Sequence, residues 1–472
     1  MTTFLVKPFL TTFIVILVPV PCKTVQKMLK FFISSFSWKM QQTSAERHIG
    51  RINMKEIVQH KIQHWLTQIK TSLKWVIFSI LSGFVIGSAG TLFHFALSLA
   101  TLVREKNLWL IWLLPVGGLL IVGAYQLLRD ERDTGTNLVL SAIHSGDELP
   151  FRTAPLIFIT TLITHLFGGS AGREGAALQL GGSIGNGIGR LFHFDEKDKH
   201  IMIMCGMSAA FSALFGTPMA AAIFSMEVVS VGIMHYAALV PCVIASLIAH
   251  GIASSFGLGA ERFPVANIPA FTVGSALQIS VLAVLCAILS IVFCILLHQS
   301  ESLYKKLFHN LYVRIFVGGC IVVVLTFLVG SQTYNGAGSN IIASCMNQGV
   351  TPETFLLKML FTAATLGAGY KGGEIVPSFS TGAAFGFMFG NVTGFAPSLC
   401  TAVGMSALFC GVTNCPITSL LISFELFGYE GMPYFLLAVA LSYMLSGYYG
   451  LYHSQKIIYS KYKTNYINKK TH

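Results

Sequence analysis

The stretch GGSAGREGAALQLGGSIG (residues 168–185) decides how this chain is read. It is a glycine-rich loop with one arginine and one acid, Arg173 and Glu174, set between apolar segments: 153–172 and 175–189 carry no charged residue. A carboxylate at such a place in a bilayer costs roughly 2.5–3.5 kcal/mol on insertion scales, so it is kept for a purpose. The glycines let backbone N–H groups approach a ligand, and the run after Gly175 reads as a helix whose first turn points at the loop. A helix N-terminus carries about half a positive charge and unpaired N–H donors, which suits an anion. The structural alternative is a glycine helix-packing motif with an arginine at the headgroups.

Working outward, the whole chain reads as a polytopic α-helical membrane protein. Of 472 residues 54% are hydrophobic and 11% charged, against about 25% charged in soluble proteins. Uncharged runs at 75–103, 107–128, 228–260, 263–300, 315–352 and 375–424 meet the roughly 20 residues that a spanning helix needs. No strand-like alternation supports a β-barrel. The net charge of +12 does not mark a nucleic-acid partner, because the basic residues cluster beside hydrophobic segments. Residues 23–74 hold ten Lys/Arg against two Glu, and 456–472 hold five Lys and no acid. The positive-inside rule then places both termini in the cytoplasm and the chain in the cell membrane. The ten cysteines form no CxxC and read as small buried hydrophobes, not as disulfides or a metal site.

Four regions are expected: a basic, amphipathic extension (1–72, including a short Pro-broken apolar run at 8–21), two membrane repeats (73–260 and 270–455), and a C-terminal cytoplasmic helix and tail (456–472). The two repeats are copies. GMSA at 206–209 recurs at 404–407; Pro218, Glu227 and Tyr236 recur as Pro416, Glu425 and Tyr434, all 198 residues on. Gly169, Gly172, Glu174 and Gly182 recur 200 residues on as Gly369, Gly372, Glu374 and Gly382, and GTNLV (135–139) recurs as GSNII (338–342). Several of the helices expected in each copy are too short to cross a bilayer, so their ends must stop inside protein. Duplication with interrupted helices at matching positions is the pattern of secondary transporters, whose site lies between the copies. Sequence alone leaves parallel and inverted copies both open.

GREGA (172–176) with LQLGGSIG after it resembles the GREGP signature of the CLC family of chloride channels and proton-coupled antiporters. GTNLV sits where that family carries GSGIP, GGEIVP (372–377) where it carries GxFxP, and Tyr459, in KIIYSKY, where it carries a central tyrosine. The resemblance covers about 75–465. It implies an all-α inverted repeat of broken and short helices, a homodimer, and one anion path per subunit. That path would be lined by Thr136, Asn137, Leu138, Val139, Arg173, Gly175, Ala176, Ile375, Val376, Pro377 and Tyr459. Glu174 would be the gate: charged, its carboxylate occupies an anion position; protonated, it swings away. No cofactor or metal is implied, and the partners are a halide, a proton and the bilayer.

The departures bear on which ion moves. The family's antiporters carry an inner glutamate just after the Glu227 position, where this chain has Val228; channels lack it too. Gly-x-Asn-Leu and Gly-Gly-Glu resemble the fluoride/proton antiporter branch, in which an acid like Glu374 takes part in transport. The expectation is therefore halide transport, fluoride ahead of chloride, coupled to protons through Glu174 with Glu374 on the proton path. The alternative is a passive chloride channel. As purely structural residues, Glu374 would pair with Lys371, Glu227 and Glu425 would be hydrogen-bonded near helix ends, and Tyr459 would be an interfacial tyrosine. With 13 residues after Tyr459, the paired nucleotide-binding modules of some family members are not expected. A membrane-embedded enzyme lacks support, since His144, His165, His235 and His250 have no partner at ligand spacing. A cation transporter would want several mid-membrane acids and fewer helix starts at the site.

Overall fold

The computed structural model describes residues 54–130, 134–347 and 349–471; the extension before residue 54, with its apolar run at 8–21, and positions 131–133 of the RDERD loop lie outside the described residues. The residues from Thr71 onwards form one packed unit. The first described helix, α1, runs Met54–Lys106, so it begins within the extension expected at 1–72 and continues into the first repeat. No glycine or proline interrupts 54–82, so nothing breaks the ladder.

After a 3₁₀ turn the first repeat continues with α2 (Leu114–Leu127), α3 (Thr136–Ser145), α4 (Thr153–Leu166), α5 (Glu174–Leu191), α6 (Glu196–Phe215), α7 (Pro218–Glu227), a short strand β1 (Ser230–Val231) and α8 (Leu239–Ser255). The second repeat holds α9 (Val273–Leu307), α10 (Leu311–Val329), α11 (Ser339–Asn347), α12 (Thr354–Ala368), α13 (Ile375–Thr393), α14 (Pro397–Thr413), α15 (Pro416–Phe427) and α16 (Met432–Leu445). Five stretches among the described residues are long and apolar enough to cross a membrane. Of the other helices, α5, α13 and α14 are almost completely buried in protein. This is the all-α inverted-repeat fold.

The expected C-terminal helix is not there. Lys456–Tyr459 (β2) and Tyr466–Lys470 (β3) are strands, β2 lying parallel to β1 and antiparallel to β3. Ile457 alternates inward, fully buried, and its partner Val231 comes from over 200 residues away. A four-residue apolar run has no period of its own, and long-range pairing decides it.

The repeats meet about a pseudo-twofold axis, visible in reciprocal contacts. Gly172 and Gly373 exchange both backbone hydrogen bonds, each 2.7 Å, as an antiparallel bridge. Glu227, ending α7, accepts from the Ile417 and Thr418 N–H groups at 3.0 and 2.8 Å at the start of α15. Glu425, ending α15, accepts from the Met219 and Ala220 N–H groups at 2.9 Å at the start of α7. Each carboxylate thus caps the other repeat's helix, where orphan donors and the dipole favour it. Both are hydrogen-bonded structurally. Within each repeat, glycines let two helices touch: a Cβ on Gly181 would come within 2.2 Å of the Gly206 carbonyl, and one on Gly382 within 2.5 Å of the Gly404 carbonyl. Glu227→Ala leaves the buried Thr418 N–H and hydroxyl, and the partly covered Ile417 N–H, without their acceptor and is expected to cost about 1–3 kcal/mol. Glu425→Ala, at a more exposed cap, is expected to cost less; thermal unfolding of detergent-solubilised protein would order the two.

Candidate anion and proton site

The site is built from helix starts. Gly135, with φ +72°, turns the chain into α3, presenting Thr136 and Asn137; the bridge between Gly172 and Gly373 then launches α5 and α13 from opposite repeats. The earliest helical N–H acceptor bonds in these two are Ala177 N–H to the Arg173 carbonyl and Ser378 N–H to that of Glu374, each 3.0 Å. The amides before them, at Gly175, Ala176, Ile375 and Val376, are the first-turn donors that a helix leaves unpaired. Pro377 has none to offer, and its fixed φ suits the opening turn. In α3 the Leu138 amide is already taken by the Gly135 carbonyl at 3.0 Å. Val139 is fully buried against Gly182, whose Cβ would lie 2.7 Å from it.

The two acids share this junction. The Glu174 side chain is fully buried; its Oε2 accepts from the Arg173 backbone N–H at 3.0 Å and its Oε1 from the Arg173 Nε at 3.3 Å. A Cβ on Gly172 would lie 2.9 Å from Glu174 Oε2 and 3.0 Å from Pro377. A Cβ on Gly175 would lie 3.1 Å from Thr136 Oγ1 and 3.4 Å from Glu374 Oε2. Glu174 and Glu374 therefore flank one pair of glycines, together with Thr136 and Pro377. Glu374 makes no ion pair among the described residues, and its Oε2 is buried without a hydrogen-bond partner. The expected pairing with Lys371 is not what positions that residue: its ammonium lies 4.3 Å from the Tyr125 ring centroid. Arg173 bridges outward, its guanidinium 2.6 Å from Glu261 in the linker between the repeats and 3.3 Å from His94 on α1.

A vestibule of about 890 Å³ opens onto the junction, lined by Gly135, Asn137, Gln179, Gly372 and Glu374 and, farther out, by several cationic side chains. Asn137 Oδ1 accepts from the Ser454 N–H at 2.9 Å, which leaves the amide NH₂ as its donating end. The fourth repeat-matched start, at Ser339, does not face this vestibule. Gly338 before it packs on Ser380 and Lys358, as an inverted mate of α3 should, on the opposite side.

Tyr459 is not brought to the site. It lies on β2, 43% exposed, with its ring against Tyr466. The tyrosine within electrostatic reach of both Glu374 and Glu174 is Tyr452, fully buried, its hydroxyl without a hydrogen-bond partner among the described residues. Sequence could not choose among the tyrosines at 448, 449, 452, 459 and 462; only the chain path does. Lys358 was also missed. Fully buried in α12, it donates to Ser170 Oγ at 2.9 Å and to the Gly336 and Tyr334 carbonyls at 2.7 and 3.1 Å. Its signal was available: one cation inside an apolar helix at membrane depth is a functional residue by default.

The family model for voltage-gated chloride channels matches residues 117–447. A chloride/fluoride channel protein of Pseudomonas syringae pv. tomato is 33% identical over 82% of this chain and 88% of its own length. An H(+)/Cl(-) exchange transporter of Vibrio cholerae is 24% identical over 77% of this chain and 84% of its own. Among solved structures, a CLC-type fluoride/proton antiporter superposes with a TM-score of 0.79 at 31% identity, over 81% of this chain and 98% of that one. A slow cyanobacterial Cl-/H+ antiporter superposes with a TM-score of 0.67 at 20% identity, over 79% and 94%.

Proposed function

The chain belongs to the CLC family of chloride channels and anion–proton antiporters, and we propose that within it this protein exchanges fluoride for protons. The observation carrying this reading is the meeting of Glu174 and Glu374 at the Gly172–Gly373 bridge, beside the unpaired first-turn amides of α5 and α13. A small anion and a carboxylate compete for the same donors there. Protonating Glu174 removes its charge from the α5 start and admits the anion; a proton leaving Glu174 closes the position again. Val228 is fully buried and apolar, so the second proton-carrying position falls to Glu374, next to the Asn137 amide. Tyr452, not Tyr459, supplies the phenol within electrostatic reach of the two acids. Fluoride is the halide that accepts hydrogen bonds most strongly, which fits a site of N–H donors, an asparagine amide and a phenol.

By the same reading the protein works as a homodimer with a path in each subunit, in the cell membrane, its lysine-rich flanks on the cytoplasmic side. Purified protein in lipid vesicles, with a fluoride or chloride electrode and a pH electrode read together, tests the function. Fluoride efflux well above chloride efflux, with protons moving the opposite way, is the expected result. Faster chloride than fluoride would move the protein to chloride exchange, and anion flux without proton movement would make it a channel.

A further inference from the structure

The vestibule wall carries a titratable cluster that neither the anion path nor the gate uses. His298, on α9, lies with its Nε2 3.2 Å from the Leu451 carbonyl, and its ring packs on that of His453 at 3.8 Å between centroids and 31° between planes. Glu301 stands one turn further along α9, within electrostatic reach of both imidazoles and of Glu374; its Oε1 holds Lys305 at 2.5 Å. All four residues, His298, Glu301, Glu374 and His453, line the one vestibule.

The other charged side chains on that wall are cationic. Lys305, Lys306 and His309 face it from α9 and the turn after it, Arg314 from α10 and Lys371 from the loop before α13, while Lys470 reaches His453 from β3. Such a wall concentrates anions and holds protons off. A buried carboxylate at its inner end then depends on proton supply. At the diffusional ceiling of roughly 10⁹–10¹⁰ M⁻¹ s⁻¹, free protons at pH 7 arrive at only about 10²–10³ per second. Imidazoles gain and lose a proton near neutral pH and are the side chains suited to passing one on.

Resting on the reading of Glu374 as a proton carrier, we propose that His298, His453 and Glu301 are a proton-collecting relay that loads Glu374 from the vestibule. A proton taken from solvent by an imidazole or by the Glu301 carboxylate passes inward to the Glu374 carboxylate, and the relay is reloaded from solvent. Nothing else is consumed. The three supply protons and take no part in holding the anion at the helix starts.

The test uses His298→Gln, His453→Gln and Glu301→Gln, singly and together, in vesicles with fluoride and proton fluxes recorded from pH 6 to 8.5. The expected result is turnover near wild type at pH 6, falling several-fold below it at alkaline pH. The fluoride-to-proton ratio should stay unchanged, and added imidazole buffer should restore the lost rate. Wild-type rates across the range, or a loss equal at every pH and untouched by imidazole, would overturn the relay. Glu374→Gln, run in parallel, separates the two readings. Should it lose exchange while the relay variants match wild type, only the relay falls; should it keep full coupled exchange, the proton-carrier reading falls and the relay with it.

Discussion

Glu174→Gln is expected to remove proton coupling while anion flux continues. The amide is nearly the size of the carboxylate and still offers an oxygen to the Arg173 backbone N–H, now 3.0 Å from Oε2. It cannot carry a proton, and it no longer places a full charge at the α5 start to exclude the anion. The fold should tolerate the change. Stranding a buried charge is what usually makes such a substitution destructive, and Arg173 retains Glu261 at 2.6 Å. Proton counter-movement should fall at least tenfold, to the level of protein-free vesicles, with anion efflux equal to or above wild type and independent of pH. Parallel halide and pH recordings decide it, and an unchanged exchange ratio would refute the gate.

The internal duplication carried most of the fold into view before any coordinates. The offset of 198 that links Glu227 to Glu425 also links the residues whose N–H groups they cap, Met219 and Ala220 to Ile417 and Thr418, so one arithmetic fact held both a topology and a hydrogen-bond plan. Glycines within each copy, 181 with 206 and 382 with 404, marked where helix backbones touch. Motif positions were legible for the same reason: Thr136, Glu174, Glu374 and Pro377 open helices, and helix starts are written locally. The residues that were misjudged depend on path. Tyr452 and Tyr459 stand seven residues apart in one polar stretch, and their fates diverge only because β2 pairs with β1, a contact no local pattern encodes. The α11 start looked equivalent to the other three, yet inversion turns it to the far side, against Lys358. Sequence similarity between copies carries no direction, so this could not be read without the fold.

Glu374→Gln is expected to stop exchange altogether, which sets it apart from the gate variant. Glu174 stands where an anion would sit, so neutralising it opens a path. Glu374 stands beside that path with a buried Oε2 that no donor engages, 3.4 Å from the Cβ position of Gly175. Among the described residues its carboxylate accepts only from its own backbone N–H, a bond the amide oxygen can keep, and the isosteric amide should leave unfolding temperature within a degree or two of wild type. A carboxylate kept at such cost without a partner serves through its protonation. With Val228 unable to substitute, Glu374 is the acid that shares the glycine pair with Glu174 among the described residues, placed to receive a proton from the vestibule and return it to Glu174. Fluoride and proton fluxes should therefore drop together, each by tenfold or more. The double variant with Glu174→Gln should recover uncoupled anion flux, because an open gate no longer waits for a proton. Wild-type fluoride and chloride fluxes in Glu374→Gln would remove the residue from the mechanism, and a double variant as silent as the single would show that Glu374 shapes the anion path itself.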